Sequence, residues 1–166
     1  MRDEGWKTAS HEVIPVEAGP ARWIVCERSG RWAVGLRCAA APLDLKIHET
    51  RSLSDGWERL RQYPVSFVIA ELTTANADAL LGRIASLARD FPAARAAVVA
   101  ERSLAEYEGL VRELGAVWFA VSPRELGPLV ELARRHLERA PSPPSDFVAE
   151  IWNSLPWETF STRRAR

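Results

Sequence analysis

Residues that build metal and redox sites are scarce in this sequence. Its two cysteines, Cys26 and Cys38, lack the CxxC spacing of a metal or redox motif. Its three histidines, His11, His48 and His136, stand far apart, and none has a cysteine or a carboxylate at metal-ligand spacing. We therefore predict that the protein binds no metal and no cofactor. We interpret the cysteines as small buried residues in a reducing compartment, with no metal-binding or redox role.

An excess of charge and long hydrophobic runs are also missing. The 22 basic and 22 acidic residues cancel, which leaves no electrostatic basis for binding nucleic acid or an anionic membrane. No stretch approaches the roughly 20 apolar residues that a membrane span needs. Residues 1–6 are charged and are followed by no apolar run, unlike a signal peptide. We expect a cytoplasmic protein with no nucleic-acid or membrane partner.

The sequence does contain a regular alternation of strand and helix patterns between Arg22 and Ala140. Continuous apolar runs at residues 23–26, 65–70, 96–100 and 117–121 are typical of buried parallel strands. Residues 43–49 alternate between apolar and polar side chains, which predicts an edge strand with one solvated face. With a helix pattern after each strand, these units predict an α/β fold: a flavodoxin-like (βα)5 three-layer sandwich with a parallel sheet in the order 2-1-3-4-5.

Local signals predict where several helices begin. Asn76 is placed to cap the third helix. Ser103 and Glu106 have the spacing of a capping box at the start of the fourth helix, whose inward-facing stripe includes Leu110. Pro123 is predicted to open the last helix near its first turn.

The chain outside residues 21–140 differs in composition from the predicted domain. Residues 1–20 are predicted to be a flexible arm, and residues 141–166 a proline-rich linker followed by an aromatic tail. Trp152, Leu155 and Trp157 make this tail a candidate for partner binding, since tryptophan is favoured at binding hot spots. The tail either covers a groove on its own domain or docks into another protein or a second copy.

Three segments resemble a receiver domain of the two-component response-regulator family. They are WIVCER at residues 23–28, FVIAEL at residues 67–72 and GAVWFAVSP at residues 115–123. In the family these positions correspond to the first strand with its acidic pair, the strand with the phospho-acceptor aspartate, and the stretch with an aromatic residue and a lysine-proline pair. The resemblance implies the receiver fold and a phosphorylation site at the carboxyl ends of the strands.

At that implied site the family's working groups are mostly replaced. Glu27 keeps one acid of the pair that holds Mg²⁺ in the family, but Arg28 replaces the other and opposes a cation. Glu71 matches the acceptor aspartate with a carboxylate one methylene further out, and misplacements of this kind can cost ~100-fold in rate. Ala100 replaces a hydroxyl residue and Ser122 replaces the lysine. We predict a degenerate receiver of the pseudo-receiver type.

The sequence leaves the role of Glu71 open. Its carboxylate could permanently imitate a phosphorylated aspartate, or it could form an ion pair with Arg28 across the edge of the sheet. It could equally be a polar residue at a strand end with no further role.

A receiver-like domain without its phosphorylation chemistry is predicted to work through contacts. We expect a non-enzymatic, phosphorylation-independent signalling or assembly module whose partner is another protein or a second copy of itself. The resemblance implies a working surface along the fourth strand, fourth helix and fifth strand, with candidate residues Glu101, Arg102, Tyr107, Trp118 and Ser122. The alternative is a small-ligand-binding protein or an enzyme that uses the carboxyl ends of the strands.

Overall fold

Five parallel strands form one sheet in the order β2-β1-β3-β4-β5 in the computed structural model, which describes residues 21–41 and 47–140. The elements in chain order are β1 Trp23–Cys26, α1 Arg31–Ala39, β2 Ile47–Thr50, α2 Leu53–Gln62, β3 Phe67–Leu72, α3 Ala77–Asp90, β4 Arg95–Ala100, a 3₁₀ helix Arg102–Tyr107, α4 Glu108–Glu113, β5 Trp118–Ala120 and α5 Gly127–Arg139. The flavodoxin-like sandwich and its strand order are confirmed. The predicted arm at residues 1–20 and tail at residues 141–166 lie outside the described residues.

The sheet is covered on both faces, which explains the continuous apolar runs of its central strands. Because successive side chains of a strand point to opposite faces, each strand contributes to two separate cores. Ile24, Val68 and Val98 pack on one face with α2, α3 and α4. Trp23 and Val99 pack on the other face with α1 and α5.

The second strand lies at the edge, as its alternating pattern predicts. β2 pairs only with β1 among the described strands, with Ile47 opposite Trp23 and Thr50 opposite Cys26. Of its four residues, only Thr50 is buried. Residues 42–46 are not described, so the first four residues of the predicted strand, 43–46, lie outside the described part of the chain.

The fourth and fifth helices begin later than the sequence signals predict. Residues 102–107 form a 3₁₀ helix interrupted by non-helical backbone angles at Leu104, and α4 starts only at Glu108. Ser103 and Glu106 therefore do not form a capping box. With this change of helix type, Val111 is buried in the core and Leu110 is 44% exposed. The predicted inward orientation of Leu110 is therefore wrong.

The last helix does not open at Pro123. Residues 122–125 form a turn closed by a hydrogen bond from the Glu125 N–H to the Ser122 carbonyl, and α5 begins at Gly127 with Pro128 in its first turn. Pro128 lies where proline is favoured, because the first amide groups of a helix have no partner within the helix. Leu126 is nevertheless buried, so the apolar stripe of the predicted helix is correct from there onward.

The parallel arrangement brings the carboxyl ends of the strands together. We call the edge formed by the residues that follow β1, β3, β4 and β5 the carboxyl rim, and the opposite edge, where these strands begin, the amino rim. None of the helices in the described part of the chain is long and apolar enough to cross a membrane.

Candidate functional site

The predicted site residues come together at the carboxyl rim. Glu27 and Arg28 follow β1 directly, Glu71 is the penultimate residue of β3, and Ala100 ends β4. The strand register places Cys26 opposite Ala70 and Leu72 opposite Ala100, so these ends lie side by side. A cleft at this rim is lined by Cys26, Glu27, Arg28, Arg51, Ser52, Leu53, Glu71 and Asn76.

Glu27 closes the first turn of α1. Its two carboxylate oxygens accept hydrogen bonds from the backbone amides of Trp32, at 2.8 Å, and Ala33, at 2.5 Å. The N-cap residue of α1 is Gly30, which has no side chain to accept such bonds, and its φ of 82° gives the turn that folds the chain back over Glu27. Glu27 therefore caps α1 although it is not the N-cap residue, because its side chain accepts the free amide hydrogens of the first turn. It also places a negative charge at the positive end of the helix dipole.

The environment of Glu27 is a core position and not an open metal site. The residue is only 2% exposed, and its own amide donates to the Thr50 carbonyl of β2 at 3.1 Å. A carboxyl group this deeply buried needs hydrogen-bond partners, and the two α1 amides supply them. The carboxylate is held by the fold whether or not any ligand binds at the rim.

Glu71 is also held by backbone and not by the predicted ion pair. Its Oε2 accepts a hydrogen bond of 3.0 Å from the amide of Arg28. No ion pair joins the Arg28 guanidinium to Glu71 in the described part of the chain, so the Arg28–Glu71 ion-pair hypothesis is wrong. The contact instead ties the end of β3 to the turn after β1, and any residue type except proline at position 28 could donate it.

The loop that follows Glu71 is fixed by Asn76. Its side-chain amide donates to the Glu71 carbonyl at 2.8 Å, and its side-chain oxygen accepts from the Thr73 amide at 2.8 Å. Asn76 stands at the N-cap position of α3 but makes no side-chain bond to that helix. The predicted position of Asn76 at the start of α3 is confirmed, but the capping hydrogen bond is absent, because both polar groups of its side chain are used within the β3–α3 loop.

Two positions at the rim carry groups that cannot bind a phosphoryl oxygen strongly. Ala100 is completely buried in the core on the α2–α4 face and has no polar side-chain atom. Ser122 is partly buried, and its hydroxyl oxygen accepts from the Arg124 amide at 3.3 Å, which stabilises the turn before α5. A serine there supplies no positive charge.

The cleft at the carboxyl rim is small. Its volume is about 20 Å³, enough for roughly one water molecule. Arg51 donates from Nη1 to the Arg28 carbonyl at 3.3 Å and also pairs with Glu49 at 3.8 Å. Burial raises the pKa of the Cys26 thiol to about 11, so this cleft-lining cysteine stays protonated at neutral pH and is a poor nucleophile.

These residues do not fit the Mg²⁺ that the receiver resemblance implies. Mg²⁺ needs several oxygen ligands in near-octahedral geometry. One of the two carboxylates is directed at the amides of α1, the other is bonded to a backbone amide, and the cleft is lined by the side chains of Arg28 and Arg51. Within residues 21–41 and 47–140, no group of three or more His, Cys, Asp or Glu side chains is arranged to hold a metal ion.

The proposed partner residues near β5 are not all on one face. Glu101 and Arg102 are exposed directly after β4. Tyr107 is half-buried against the core on the α2–α4 face, whereas Trp118 is half-buried against the core on the α1–α5 face. The two aromatic side chains therefore lie on opposite faces of the sheet, near the edge that β5 forms among the described strands. Trp152, Leu155 and Trp157 lie outside the described residues.

Sequence reasoning missed two features near this edge. Leu110 of α4 is exposed instead of buried. The indole N–H of Trp118 is buried and has no hydrogen-bond partner among the residues that the structure describes, while the Arg112 guanidinium lies 5.8 Å from its ring centre. Neither feature has a sequence signal, because each depends on how elements distant in sequence pack together.

Solved structures with this arrangement of strands and helices are receiver domains. A response regulator from Thermotoga maritima superposes with a TM-score of 0.60 at 16% identity, covering 72% of this chain and 98% of that one. The chain has a CheY-like receiver fold. A CheY-like protein (tadZ) from Pseudomonas aeruginosa PAO1 gives 0.56 at 14% identity, covering 70% and 98% of the two chains.

A third similar structure comes from a protein of a different description. It is a pilus assembly-related protein from Burkholderia pseudomallei, with a TM-score of 0.51 at 15% identity, covering 72% of this chain and 92% of that one. No protein-family model and no curated protein matches the chain. At these identities the likeness establishes the receiver fold, and the chemistry of the rim has to be judged from the residues of this chain.

Proposed function

We propose that this chain is a receiver-like signalling or assembly module that acts by contact with another protein or a second copy, without phosphorylation and without catalysis of its own. The observation that carries the proposal is the pair of hydrogen bonds from the α1 amides to Glu27. The Glu27 side chain is buried with an amide donor on each carboxylate oxygen, so turning it towards a cation at the rim would release two buried donors, each at a cost of ~1–3 kcal/mol.

The rest of the carboxyl rim supports the same proposal. A receiver needs a metal, an acceptor and groups that respond to the new phosphoryl charge. Here the acceptor position holds Glu71, bonded to the Arg28 amide, and the responding positions hold Ala100 and Ser122. Glu71 as a permanent imitation of a phosphorylated aspartate is disfavoured, because neither Ala100 nor Ser122 offers a charged group to sense it.

The alternative, a small-ligand site or enzyme at the carboxyl rim, finds less support. Clefts that bind small molecules usually enclose ~300–1,000 Å³. The cleft beside Glu27 and Glu71 encloses about 20 Å³, and Cys26, its most nucleophilic residue type, has a pKa raised to about 11 by burial.

Phosphorylation independence is tested with acetyl phosphate and Mg²⁺. The intact mass of the protein, measured after acid quenching, should be unchanged under conditions in which an ordinary receiver domain gains one phosphoryl group. A phosphoryl adduct on Glu71 would overturn this part of the proposal.

The proposed contact surface is the β5 edge with α4. It is supported by the exposed side chain of Leu110 and by the exposed positions Glu101 and Arg102, which follow β4 directly. Val34 on α1 is also exposed, at 58%, and lies on a different helix, which makes it a matched control. We expect Leu110→Glu to weaken self-association or the capture of a binding protein, while Val34→Glu leaves it intact. Equal behaviour of the two variants would count against this surface.

A further inference from the structure

A cleft with a mixed apolar and basic lining lies at the amino rim, opposite the residues discussed above. It encloses about 450 Å³ between the starts of β3 and β4, the residue before β5, and the last two turns of α5. Its apolar lining comes from Phe67, Val117 and Leu132. The volume lies in the range of clefts that bind ligands and exceeds that of any single side chain.

The mouth of this cleft is positively charged. Arg95, Arg135 and Arg139 line it. Arg135 pairs with Glu131, but no acidic residue in the described part of the chain forms an ion pair with Arg95 or Arg139. An apolar floor with a basic mouth suits an occupant that combines aromatic and acidic side chains.

A helix dipole explains only part of this charge. Arg135 and Arg139 lie in the last turns of α5, where cations are favourable in any helix. Arg95 belongs to β4 and is held at the cleft by hydrogen bonds from Nη1 to the carbonyls of Pro92, at 3.0 Å, and Ala94, at 2.7 Å. The guanidinium is thus placed at the cleft independently of α5.

His136 adds a neutral wall to the cleft. Its Nε2 lies 2.8 Å from the Val65 carbonyl, and its ring packs edge-on against Phe67. Burial lowers the pKa of His136, with the nearby Arg95 acting in the same direction, so the ring is uncharged at neutral pH.

The chain itself supplies an occupant of the right chemistry. It continues beyond Ala140, one residue after the cleft-lining Arg139, through residues 141–166. After a proline-rich stretch, Asp146 and Glu150 alternate with Phe147 and Trp152. An extended chain spans ~3.3 Å per residue, so all four can reach the cleft. Tethering also gives the segment an effective concentration in the ~mM range, which a free peptide would not have.

We propose that residues 146–152 dock into the amino-rim cleft of their own domain. In this arrangement Phe147 and Trp152 pack on the apolar floor, and Asp146 and Glu150 face Arg95 and Arg139. The inference is independent of the proposed function, since it uses the opposite edge of the sheet and none of the residues of the carboxyl rim. Docking within the same molecule would compete with the binding of any partner that uses the same aromatic side chains.

The test is chymotrypsin cleavage of the full chain under native conditions, with loss of the C-terminal segment followed by intact mass. Cleavage after Phe147 and Trp152 requires the docked segment to open, so the rate reports the population of the open form. We expect the double variant Arg95→Glu, Arg139→Glu to be cleaved about tenfold faster than the natural sequence, which corresponds to ~1.4 kcal/mol.

Two further variants separate docking from an effect on folding. The double variant Asp146→Arg, Glu150→Arg leaves the described domain unchanged and should be cleaved equally fast. Combining all four substitutions should restore slow cleavage, because the charges are again complementary. The control is Arg102→Glu, Arg124→Glu, which removes two exposed arginines from the other edge of the sheet and should not change the rate.

Two results would overturn the proposal. One is an equal cleavage rate for the natural sequence and both charge-reversed variants. The other is protection that increases with protein concentration, which would mean that the segment enters the cleft of a second copy or another protein.

Discussion

Replacing Glu27 with alanine should destabilise the protein strongly although no ligand is bound. The substitution leaves the buried amides of Trp32 and Ala33 without their acceptors, which lie at 2.8 and 2.5 Å. Each buried unpaired donor costs ~1–3 kcal/mol, and the lost charge at the helix N-terminus adds ~0.3–1 kcal/mol. The adjacent cleft has room for roughly one water, which can satisfy one of the two donors. With one donor satisfied by water, we expect a net loss of about 1–4 kcal/mol.

Urea unfolding measures this loss as a lower midpoint with an unchanged slope. Glu27→Gln keeps one acceptor oxygen and should fall between the alanine variant and the natural sequence. The matched control is Glu101→Ala, which removes an acid that follows β4 as Glu27 follows β1. The Glu101 side chain is 70% exposed and lies 4.0 Å from Arg31, so its removal should cost less than ~1 kcal/mol.

The opposite result has a clear meaning. In a metal-holding acidic site the carboxylates repel other acids when no metal is bound, so removing one of them leaves stability unchanged or raises it. If Glu27→Ala were as stable as the natural sequence without Mg²⁺, the helix-cap interpretation would be refuted, and with it the main support for a phosphorylation-independent role.

The remaining predictions concern the two cysteines and the packing around Cys26. A Cβ at Gly56 would overlap Cys26 Sγ and come within 3.2 Å of Thr50 Oγ1, so Gly56→Ala should cost ~1–3 kcal/mol by urea unfolding. Adding Cys26→Ala should recover part of that loss, and a strictly additive double variant would contradict the contact. In thiol labelling at neutral pH, exposed Cys38 should react quickly and Cys26 only after unfolding, because burial raises the pKa of the Cys26 thiol to about 11. Fast reaction of both thiols would contradict the burial of Cys26.

The strand pattern was sufficient to predict the architecture. Apolar runs such as residues 65–70 report burial on both faces of a sheet, and the alternating run at residues 43–49 reports an edge. These are local signals of the chain, and the right-handed crossover rule then limits how the strands can be ordered. The same signals predict that Glu27, Glu71 and Ala100 lie at one edge of the sheet.

Cysteine burial shows where a local pattern misleads. Cys38, which we predict to be buried like Cys26 because the pair lacks metal or redox spacing, is exposed. The buried stripe of α1 runs instead through Trp32, Ala33 and Leu36, which pack into the core between the sheet and α5.

The sequence alone determined three features: the parallel receiver-like sheet, the edge position of β2 and the loss of the family's hydroxyl and lysine groups. Each of these depends only on which residue type stands at a given position in the chain. Only the tertiary structure decided what the remaining acids contact. The bonds from Trp32 and Ala33 to Glu27 depend on a left-handed turn at Gly30, and the bond from Arg28 to Glu71 joins residues that are distant in sequence. Hydrogen bonds are short-ranged and directional. Whether Glu27 caps a helix or binds a metal therefore depends on the exact position of its carboxylate, which the spacing of residues in the sequence does not specify.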